Sequence, residues 1–153
     1  MKTQIIDNWL EPDLAEFLSV YLEKNILYSL DHSSRPDTTE SNFLKSNLNI
    51  YDPMVLFLHS KINKIKKVNL LRSYVNLHYP CHGGSFHQDD GDTTFIYMPS
   101  KNVEGGEFEI INQPRVEYKF NRLIYFNASD HHKGNAPTNN TIRLTLAFKT
   151  ETV

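Results

Sequence analysis

The chain has 153 residues and a formal net charge of −2 at pH 7 with its histidines neutral. Its length and its 39% of hydrophobic residues suit one domain with its own core, so we expect a single domain over residues 1–153. The negative charge gives the whole chain no general attraction for nucleic acid or for an anionic membrane, and its single cysteine, Cys81, excludes both an intramolecular disulfide and a thiolate zinc cluster.

The sequence does not have the pattern of a secreted or membrane-spanning protein. An acid, Asp7, and a tryptophan, Trp9, precede any long apolar run at the N-terminus, and no later run approaches the roughly 20 apolar residues that a membrane helix needs. We therefore expect a cytoplasmic protein with no membrane partner. The sequence carries no indication of its oligomeric state.

Two amphipathic helices are predicted in the first part of the chain. The first spans about residues 12–27, with Pro12 in its first turn. Its apolar face is formed at helical spacing by Leu14, Phe17, Leu18, Tyr21 and Leu22. Residues 29–42 are polar and predict a loop, and Asp52 predicts the N-cap of a second helix that continues to about residue 66.

The second part of the chain is predicted to be β-structure. From Leu70 onward, short runs rich in β-branched and aromatic residues alternate with clusters of Gly, Pro, Asn and Asp. The predicted strands are about residues 70–79, 85–89, 93–98, 106–112, 115–119, 122–127 and 141–149. Short strands with no helix between them predict an antiparallel sandwich or barrel, with the two helices packed on one outer face.

The fold class is thus a mainly β protein with N-terminal helices (α+β). The helical part extends to about residue 68, and the β core covers about residues 69–150.

A histidine and an acid in the β part have the spacing of metal ligands. In His87-Gln88-Asp89, the first and third side chains project from the same face of a strand, so an imidazole and a carboxylate can converge on one ion. A third ligand must come from elsewhere, and His131 or His132 is the obvious source. Two histidines and one carboxylate on one face of an octahedron are typical of non-haem Fe(II) oxygenases.

Further motifs follow this triplet in a fixed order. The first block is Arg72-Ser73-Tyr74-Val75-Asn76-Leu77-His78-Tyr79-Pro80, which leads into His87-Gln88-Asp89. The second is Thr93-Thr94-Phe95-Ile96-Tyr97-Met98, followed by Val103-Glu104-Gly105-Gly106-Glu107-Phe108. The third is Arg122-Leu123-Ile124-Tyr125-Phe126, then His132-Lys133-Gly134 and Pro137, then Arg143-Leu144-Thr145-Leu146-Ala147-Phe148. Together these blocks resemble the 2-oxoglutarate/Fe(II) oxygenases, and within them the prolyl-4-hydroxylase-like branch.

The resemblance implies a double-stranded β-helix, a jelly-roll fold like that of cupins, which agrees with the predicted strands. It implies that His87, Asp89 and His132 are the iron ligands and catalytic residues, and that Arg143 pairs with the distal carboxylate of 2-oxoglutarate. His132 is preferred to His131 because the family's distal ligand is followed by one residue and then glycine. A guanidinium suits this role because it is a rigid, permanently charged fork of donors.

Two tyrosines are further candidates for binding the cosubstrate. Tyr97 matches the position at which prolyl-hydroxylase-like members place a tyrosine hydroxyl on the cosubstrate carboxylate, and Tyr79 resembles a pocket tyrosine upstream of the His-x-Asp motif. Asn76 lies 11 residues before His87 and resembles instead the cosubstrate asparagine of AlkB-type enzymes. Asn76 and Tyr79 are alternatives for one role.

The activity implied by the resemblance is hydroxylation of a prolyl or other side chain in a peptide or protein, coupled to decarboxylation of 2-oxoglutarate to succinate. A small-molecule substrate stays open. The expected cofactors are Fe(II), 2-oxoglutarate and O2, with ascorbate as an additional reductant.

Two alternatives remain. The first is an AlkB-type nucleic-acid demethylase, which the negative charge disfavours, as does Lys149 at a position where a second arginine is usual. The second is a non-catalytic, cupin-like protein that binds a metal or small ligand, in which Arg143 would have no carboxylate to bind.

Overall fold

The computed structural model describes residues 1–32 and 42–153. The elements of the described residues, in chain order, are β1 (Gln4–Asp7), α1 (Pro12–Lys24), β2 (Ser29–His32), β3 (Asn42–Leu48), α2 (Pro53–Ile62), β4 (Val68–His78), β5 (Thr93–Met98), β6 (Phe108–Ile110), β7 (Arg122–Asn127), β8 (His132–Gly134) and β9 (Arg143–Thr152). Within these residues, no helix is long and apolar enough to cross a membrane.

Both predicted helices are present and begin where the sequence indicates. Helix α1 has Pro12 at its first position, where a missing backbone N–H costs nothing. Helix α2 is capped by Asp52, whose side chain accepts a hydrogen bond from the backbone N–H of Met54 at 2.8 Å. Each helix ends three or four residues earlier than predicted, at Lys24 and Ile62.

The strands form a large and a small antiparallel sheet. The large sheet has the order β1-β7-β5-β9-β4-β3-β2, and the small sheet pairs β6 with β8. Isolated bridges join His87 to His132 and Phe108 to Val116. The predicted strands at 93–98 and 122–127 coincide with β5 and β7, whereas those at 85–89 and 115–119 are reduced to the bridges at His87 and Val116.

The loop predicted over residues 29–42 is wrong at both of its ends. Residues 29–32 form β2 and Asn42 begins β3, while 33–41 lie outside the described residues. The strands pair with each other from Ser29 opposite Lys45 to His32 opposite Asn42. The sequence predicts a loop here because the composition of these strands is polar. Strands at the edge of a sheet need few apolar residues, and β2 lies at the edge of the large sheet.

The two helices cover one face of the large sheet, as predicted. Buried residues of α1 and α2, such as Leu18 and Leu58, share one apolar cluster with Phe95 and Tyr97 of β5. The intervening residues of β5, Ile96 and Met98, belong to a second cluster on the other face, together with residues of the small sheet. Side-chain alternation along the strands therefore separates a helix-covered face from a face that looks into the space between the sheets.

Asn121 joins the segment between β1 and α1 to the start of β7. It is 5% exposed and has a backbone φ of 60°. Its side-chain oxygen accepts a hydrogen bond from the backbone N–H of Leu10 at 3.0 Å, and its amide donates to the Leu10 carbonyl at 2.8 Å. The same backbone conformation occurs at the exposed Asn102, whose φ is 56°.

We expect Asn121→Ala to lower the free energy of unfolding by about 2–4 kcal/mol, because it removes both buried hydrogen bonds and leaves the Leu10 groups unpaired. Urea unfolding followed by fluorescence of Trp9 measures this loss. The control is Asn102→Ala, which imposes the same left-handed backbone on alanine at a cost of about 1 kcal/mol. Equal losses in the two variants would show that backbone strain, not the hydrogen bonds, determines the effect.

Candidate active site

A cavity of about 340 Å³ opens between the two sheets. Its floor is the inward face of β4 and β9, whose register places His78 opposite Arg143, Asn76 opposite Thr145, and Arg72 opposite Lys149. Arg143 is fully buried at one end, while the side chain of Arg72 is 46% exposed. The cavity therefore runs from a closed end at Arg143 to an open end at Arg72.

His87, Asp89 and His132 meet at one side of this cavity. Each offers one ligand atom, and the three atoms all lie within 4.8 Å of one another. The two histidines are paired by backbone hydrogen bonds in both directions, at 3.0 and 2.9 Å. Asp89 follows His87 by two residues and places its carboxylate 3.0 Å from Nε2 of His132 and 3.6 Å from Nε2 of His87.

Backbone carbonyls set the orientation of both imidazole rings. Nδ1 of His87 lies 2.8 Å from the carbonyl oxygen of Ser85, and Nδ1 of His132 lies 2.7 Å from that of Asp130. A carbonyl only accepts, so each Nδ1 donates, and each Nε2 is directed toward the Asp89 carboxylate, where a neutral ring can offer its lone pair to a metal ion. Burial lowers the pKa of His87, and the neighbouring His132 lowers it further. Neutral imidazoles and a carboxylate that converge in this way fit a divalent cation.

Lys149 and Thr94 contact Oδ2 of Asp89, the same oxygen that lies 3.0 Å from Nε2 of His132. The ammonium of Lys149, 1% exposed, pairs with the Asp89 carboxylate, and the Thr94 hydroxyl donates to the same oxygen at 2.8 Å. Burial alone would raise the pKa of Asp89, but its contacts with His132 and Lys149 hold it well below its usual range. Asp89 is therefore an oriented carboxylate, with one oxygen engaged by protein donors.

We expect Lys149→Met to destabilise the metal-free protein by about 3–5 kcal/mol, because it leaves the buried Asp89 charge unpaired. A saturating divalent metal such as Mn(II) should restore most of this loss, since the cation supplies the missing positive charge. Urea unfolding with and without Mn(II) measures both effects.

The matched control is Lys101→Met, which breaks an exposed ion pair with Glu16 and should cost no more than about 1 kcal/mol. Failure of Mn(II) to stabilise the Lys149 variant more than the wild type would contradict this account.

Arg143 is held at the closed end by groups that leave part of its guanidinium unpaired. Its Nε donates to the carbonyl of Gly106 at 2.7 Å, and the guanidinium carbon lies 5.2 Å from the ring centre of Tyr118. A Cβ at Gly106 or Gly134 would come within 2.8 or 2.9 Å of the arginine, so these glycines leave the space that it fills. Nη2 is buried and has no hydrogen-bond partner in the described part of the chain.

A buried, unpaired charge is costly, so this end of the cavity is suited to an anion. Burial lowers the pKa of Arg143 to about 10, and the side chain is therefore still charged at pH 7.

His78 and Asn76 also face the cavity, and neither was preferred from the sequence. Nδ1 of His78 and Oδ1 of Asn76 are buried and have no hydrogen-bond partner among the described residues. Burial, aided by the charge of Arg143, lowers the pKa of His78 well below its ordinary value, so the ring is neutral. The sequence alone does not show that His78 lies opposite Arg143, because this depends on the register of β4 and β9.

Tyr97 and Tyr79, the two tyrosines predicted to contact the cosubstrate, do not line the cavity. The Tyr97 side chain lies on the helix-covered face, where its ring centre is 5.3 Å from that of Trp9 and its hydroxyl is 3.4 Å from Oδ1 of Asn121. Tyr79 packs against the same cluster, 4.2 Å from the ring of His82. A shift of one residue along a strand reverses the face, and motif matching does not fix that register.

The structure brings together the remaining residues predicted for the site. His87, Asp89, His132 and Arg143 all line the cavity, whereas His131 is exposed and lies outside it. The adjacent His132 is 2% exposed and points inward from β8. His131 lies immediately before this short strand, and its side chain is exposed.

We expect His132→Ala to weaken Mn(II) binding by at least about 100-fold, because even the outer partners of metal ligands typically contribute 10- to 100-fold. His131→Ala should leave the affinity within about twofold of the wild type. Calorimetric titration with Mn(II) alone measures both variants. Equal losses would exclude His132 as the distinct third ligand.

The fold is that of the 2-oxoglutarate/Fe(II) oxygenases, and several solved structures of prolyl hydroxylases share it. No protein-family model and no curated protein matches the sequence. A prolyl hydroxylase from Trichoplax adhaerens, solved with a peptide of the oxygen degradation domain of hypoxia inducible factor, superimposes with a TM-score of 0.73 and 15% identity, over 97% of this chain and 82% of that one.

Two further structures give similar values. The viral collagen prolyl hydroxylase of Paramecium Bursaria Chlorella virus-1 has a TM-score of 0.68 and 17% identity, over 100% of this chain and 97% of that one. A prolyl-4-hydroxylase from Pseudomonas putida has a TM-score of 0.70 and 13% identity, over 97% of this chain and 92% of that one. The double-stranded β-helix expected from the sequence is confirmed.

Proposed function

We propose that the chain is an Fe(II)- and 2-oxoglutarate-dependent dioxygenase that hydroxylates a prolyl or other side chain in a peptide or protein. The observation that carries this proposal is the buried guanidinium of Arg143, whose Nη2 has no partner among the described residues, at the closed end of the cavity that also holds the His87, Asp89 and His132 triad. A metal site alone would fit many proteins. A metal site with a carboxylate-binding arginine beyond it fits a chelating dicarboxylate.

The donor set supports iron as the metal and 2-oxoglutarate as the cosubstrate. His87, Asp89 and His132 supply two neutral nitrogens and one carboxylate oxygen, which suits Fe(II) with open positions for other ligands. Nη2 of Arg143 is a free donor for the distal carboxylate, and Nδ1 of the neutral His78 is a second polar atom without a partner nearby. The peptide substrate is inferred from neighbours that are prolyl hydroxylases, one of them bound to a peptide.

When bound, iron and 2-oxoglutarate supply the oxidising chemistry, in which O2 is consumed, 2-oxoglutarate becomes succinate and CO2, and one oxygen atom enters the substrate. The protein's contribution is to hold and orient. Lys149 and Thr94 fix the Asp89 carboxylate, the carbonyls of Ser85 and Asp130 fix the rings of His87 and His132, and Arg143 fixes the far end of the cosubstrate.

The same packing supports a single functional domain over residues 1–153. Helices α1 and α2 complete the cluster that supports the back of β4, β5 and β9, so the helical part and the β core depend on one another. A non-catalytic cupin-like protein fits less well, because it has no use for a buried arginine whose guanidinium has an unpaired donor.

We expect Arg143→Met to weaken 2-oxoglutarate binding by about 100-fold, since it removes a charge-assisted, two-pronged contact with the distal carboxylate. Mn(II) binding should be unchanged, because Arg143 is not a metal ligand. Calorimetry without oxygen measures the two affinities, and succinate release with Fe(II) and O2 measures turnover.

Arg122→Met is the control, because Arg122 is paired with Asp7 of β1 and does not line the cavity. This variant should bind 2-oxoglutarate normally. If the folded wild type binds neither Mn(II) nor 2-oxoglutarate, or if Arg143→Met binds 2-oxoglutarate as the wild type does, the proposed function is wrong.

A further inference from the structure

Three cations surround the ring of one tyrosine at the open end of the cavity. Lys45 Nζ lies 4.6 Å from the ring centre of Tyr74, Lys149 Nζ lies 5.3 Å from it, and the guanidinium carbon of Arg72 lies 5.4 Å from it. All four side chains line the cavity. We call Lys45, Arg72 and Tyr74 the pocket mouth, because the first two are partly exposed while Lys149 is buried beside Asp89.

Each of these cations has an acidic partner, but one of the acids belongs to the metal site. Lys45 pairs with Asp31 at 3.3 Å, Arg72 donates to Asp90 at 3.0 Å, and Lys149 pairs with Asp89. Once Asp89 is a metal ligand, its charge is shared with the metal. The surroundings of Tyr74 then have three cations and two other acids, an excess of one positive charge.

This excess is not needed by the cosubstrate. Under the proposed function the metal and Arg143 hold the two carboxylates of 2-oxoglutarate, and Arg143 lies at the closed end of the cavity, away from Lys45 and Arg72. The positive charge near Tyr74 remains in the loaded site, although the whole chain has a net charge of −2. A local positive potential in a cleft of a negative protein attracts an anionic ligand to that cleft.

The two outer ion pairs can exchange partners at little cost. The side chains of Arg72 and Asp90 are 46% and 51% exposed, and those of Lys45 and Asp31 are 20% and 34% exposed. The Arg72–Asp90 pair is exposed, the Lys45–Asp31 pair is partly exposed, and ion pairs in contact with solvent contribute little to stability. An incoming oxyanion can therefore take hydrogen bonds from Lys45 or Arg72 without a large loss elsewhere.

We propose that the pocket mouth binds one carboxylate or phosphate group of the primary substrate, so that the substrate is an acidic peptide. This rests on the proposed function, because it assigns the substrate class to the same site. A peptide is favoured over a nucleic acid because the excess of one charge matches one oxyanion, whereas a nucleic-acid strand presents a phosphate at every nucleotide.

The test is binding of labelled peptides to protein loaded with Mn(II) and 2-oxoglutarate without oxygen, followed by fluorescence anisotropy. The probes are nine-residue peptides with a central proline, flanked on both sides by glutamate, glutamine, lysine or phosphoserine. We expect the glutamate or phosphoserine peptide to bind at least fivefold more tightly than the glutamine peptide, and the lysine peptide to bind most weakly. This preference should shrink as the salt concentration rises.

Lys45→Gln and Arg72→Gln should each reduce the preference for the acidic peptide by about fivefold, whereas the charge-matched control Lys24→Gln should leave it unchanged. Lys24 is exposed at the end of α1, on the helix-covered side. Which of the two acidic peptides binds more tightly identifies carboxylate or phosphate as the natural source of the oxyanion.

Three results would overturn the proposal. They are equal binding of the glutamate, glutamine and lysine peptides, absence of binding to all four peptides, and tighter binding of a single-stranded ten-nucleotide DNA than of either acidic peptide. Titrations of the same protein with Mn(II) and 2-oxoglutarate alone distinguish this failure from failure of the proposed function. If both ligands bind normally but the peptides show no charge preference, only the role of the pocket mouth is refuted.

Discussion

Successive side chains of β4 and β9 face opposite sides of the large sheet, and the rest of the molecule follows from this alternation. On one side, residues such as Val75 and Leu146 pack against the two helices. On the other side, polar residues at the intervening positions, such as Asn76 and Arg143, line the cavity. The helices therefore support the active site. By burying the apolar face of the large sheet, they favour the arrangement in which the polar residues of β4 and β9 face the cavity.

Asp89 is the electrostatic centre of the cavity. It is buried among two imidazoles, a hydroxyl and an ammonium, and it is ionised because these neighbours compensate for its burial. Lys149 gives the carboxylate a partner in the metal-free protein, so the ligands can be preorganised before the metal binds. Lys149 thus has a role at the position where an AlkB-type enzyme usually has a second arginine, because its ammonium pairs with Asp89.

Much of the fold and half of the candidate site could be predicted from sequence, and the differences have identifiable causes. The predicted bounds of strands β5 and β7 agree with the structure at both ends, because their apolar runs are short and end at polar turns. The ligand pair in His87-Gln88-Asp89 was found because two residues on the same strand face need no knowledge of pairing.

The errors concern relations between strands. Tyr97 and Tyr79 were assigned to the cavity because motif matching does not determine register, and both proved to face the helices. His78 and Lys149 were not recognised as site residues for the same reason, since their partners Arg143 and Asp89 are 65 and 60 positions away in the chain. The edge strands β1 and β2 are not predicted from the sequence because each has only four residues, too few to show a clear alternation.

The two glycines that flank Arg143 restrict which residues can occupy the closed end of the cavity in related proteins. Gly106 and Gly134 come from different strands or turns, yet both leave room for the same guanidinium. A side chain at either glycine would collide with Arg143 and displace it from its position at the closed end of the cavity. Among chains with this fold, the residues at these three positions should therefore vary together, since an arginine of this size requires both glycines.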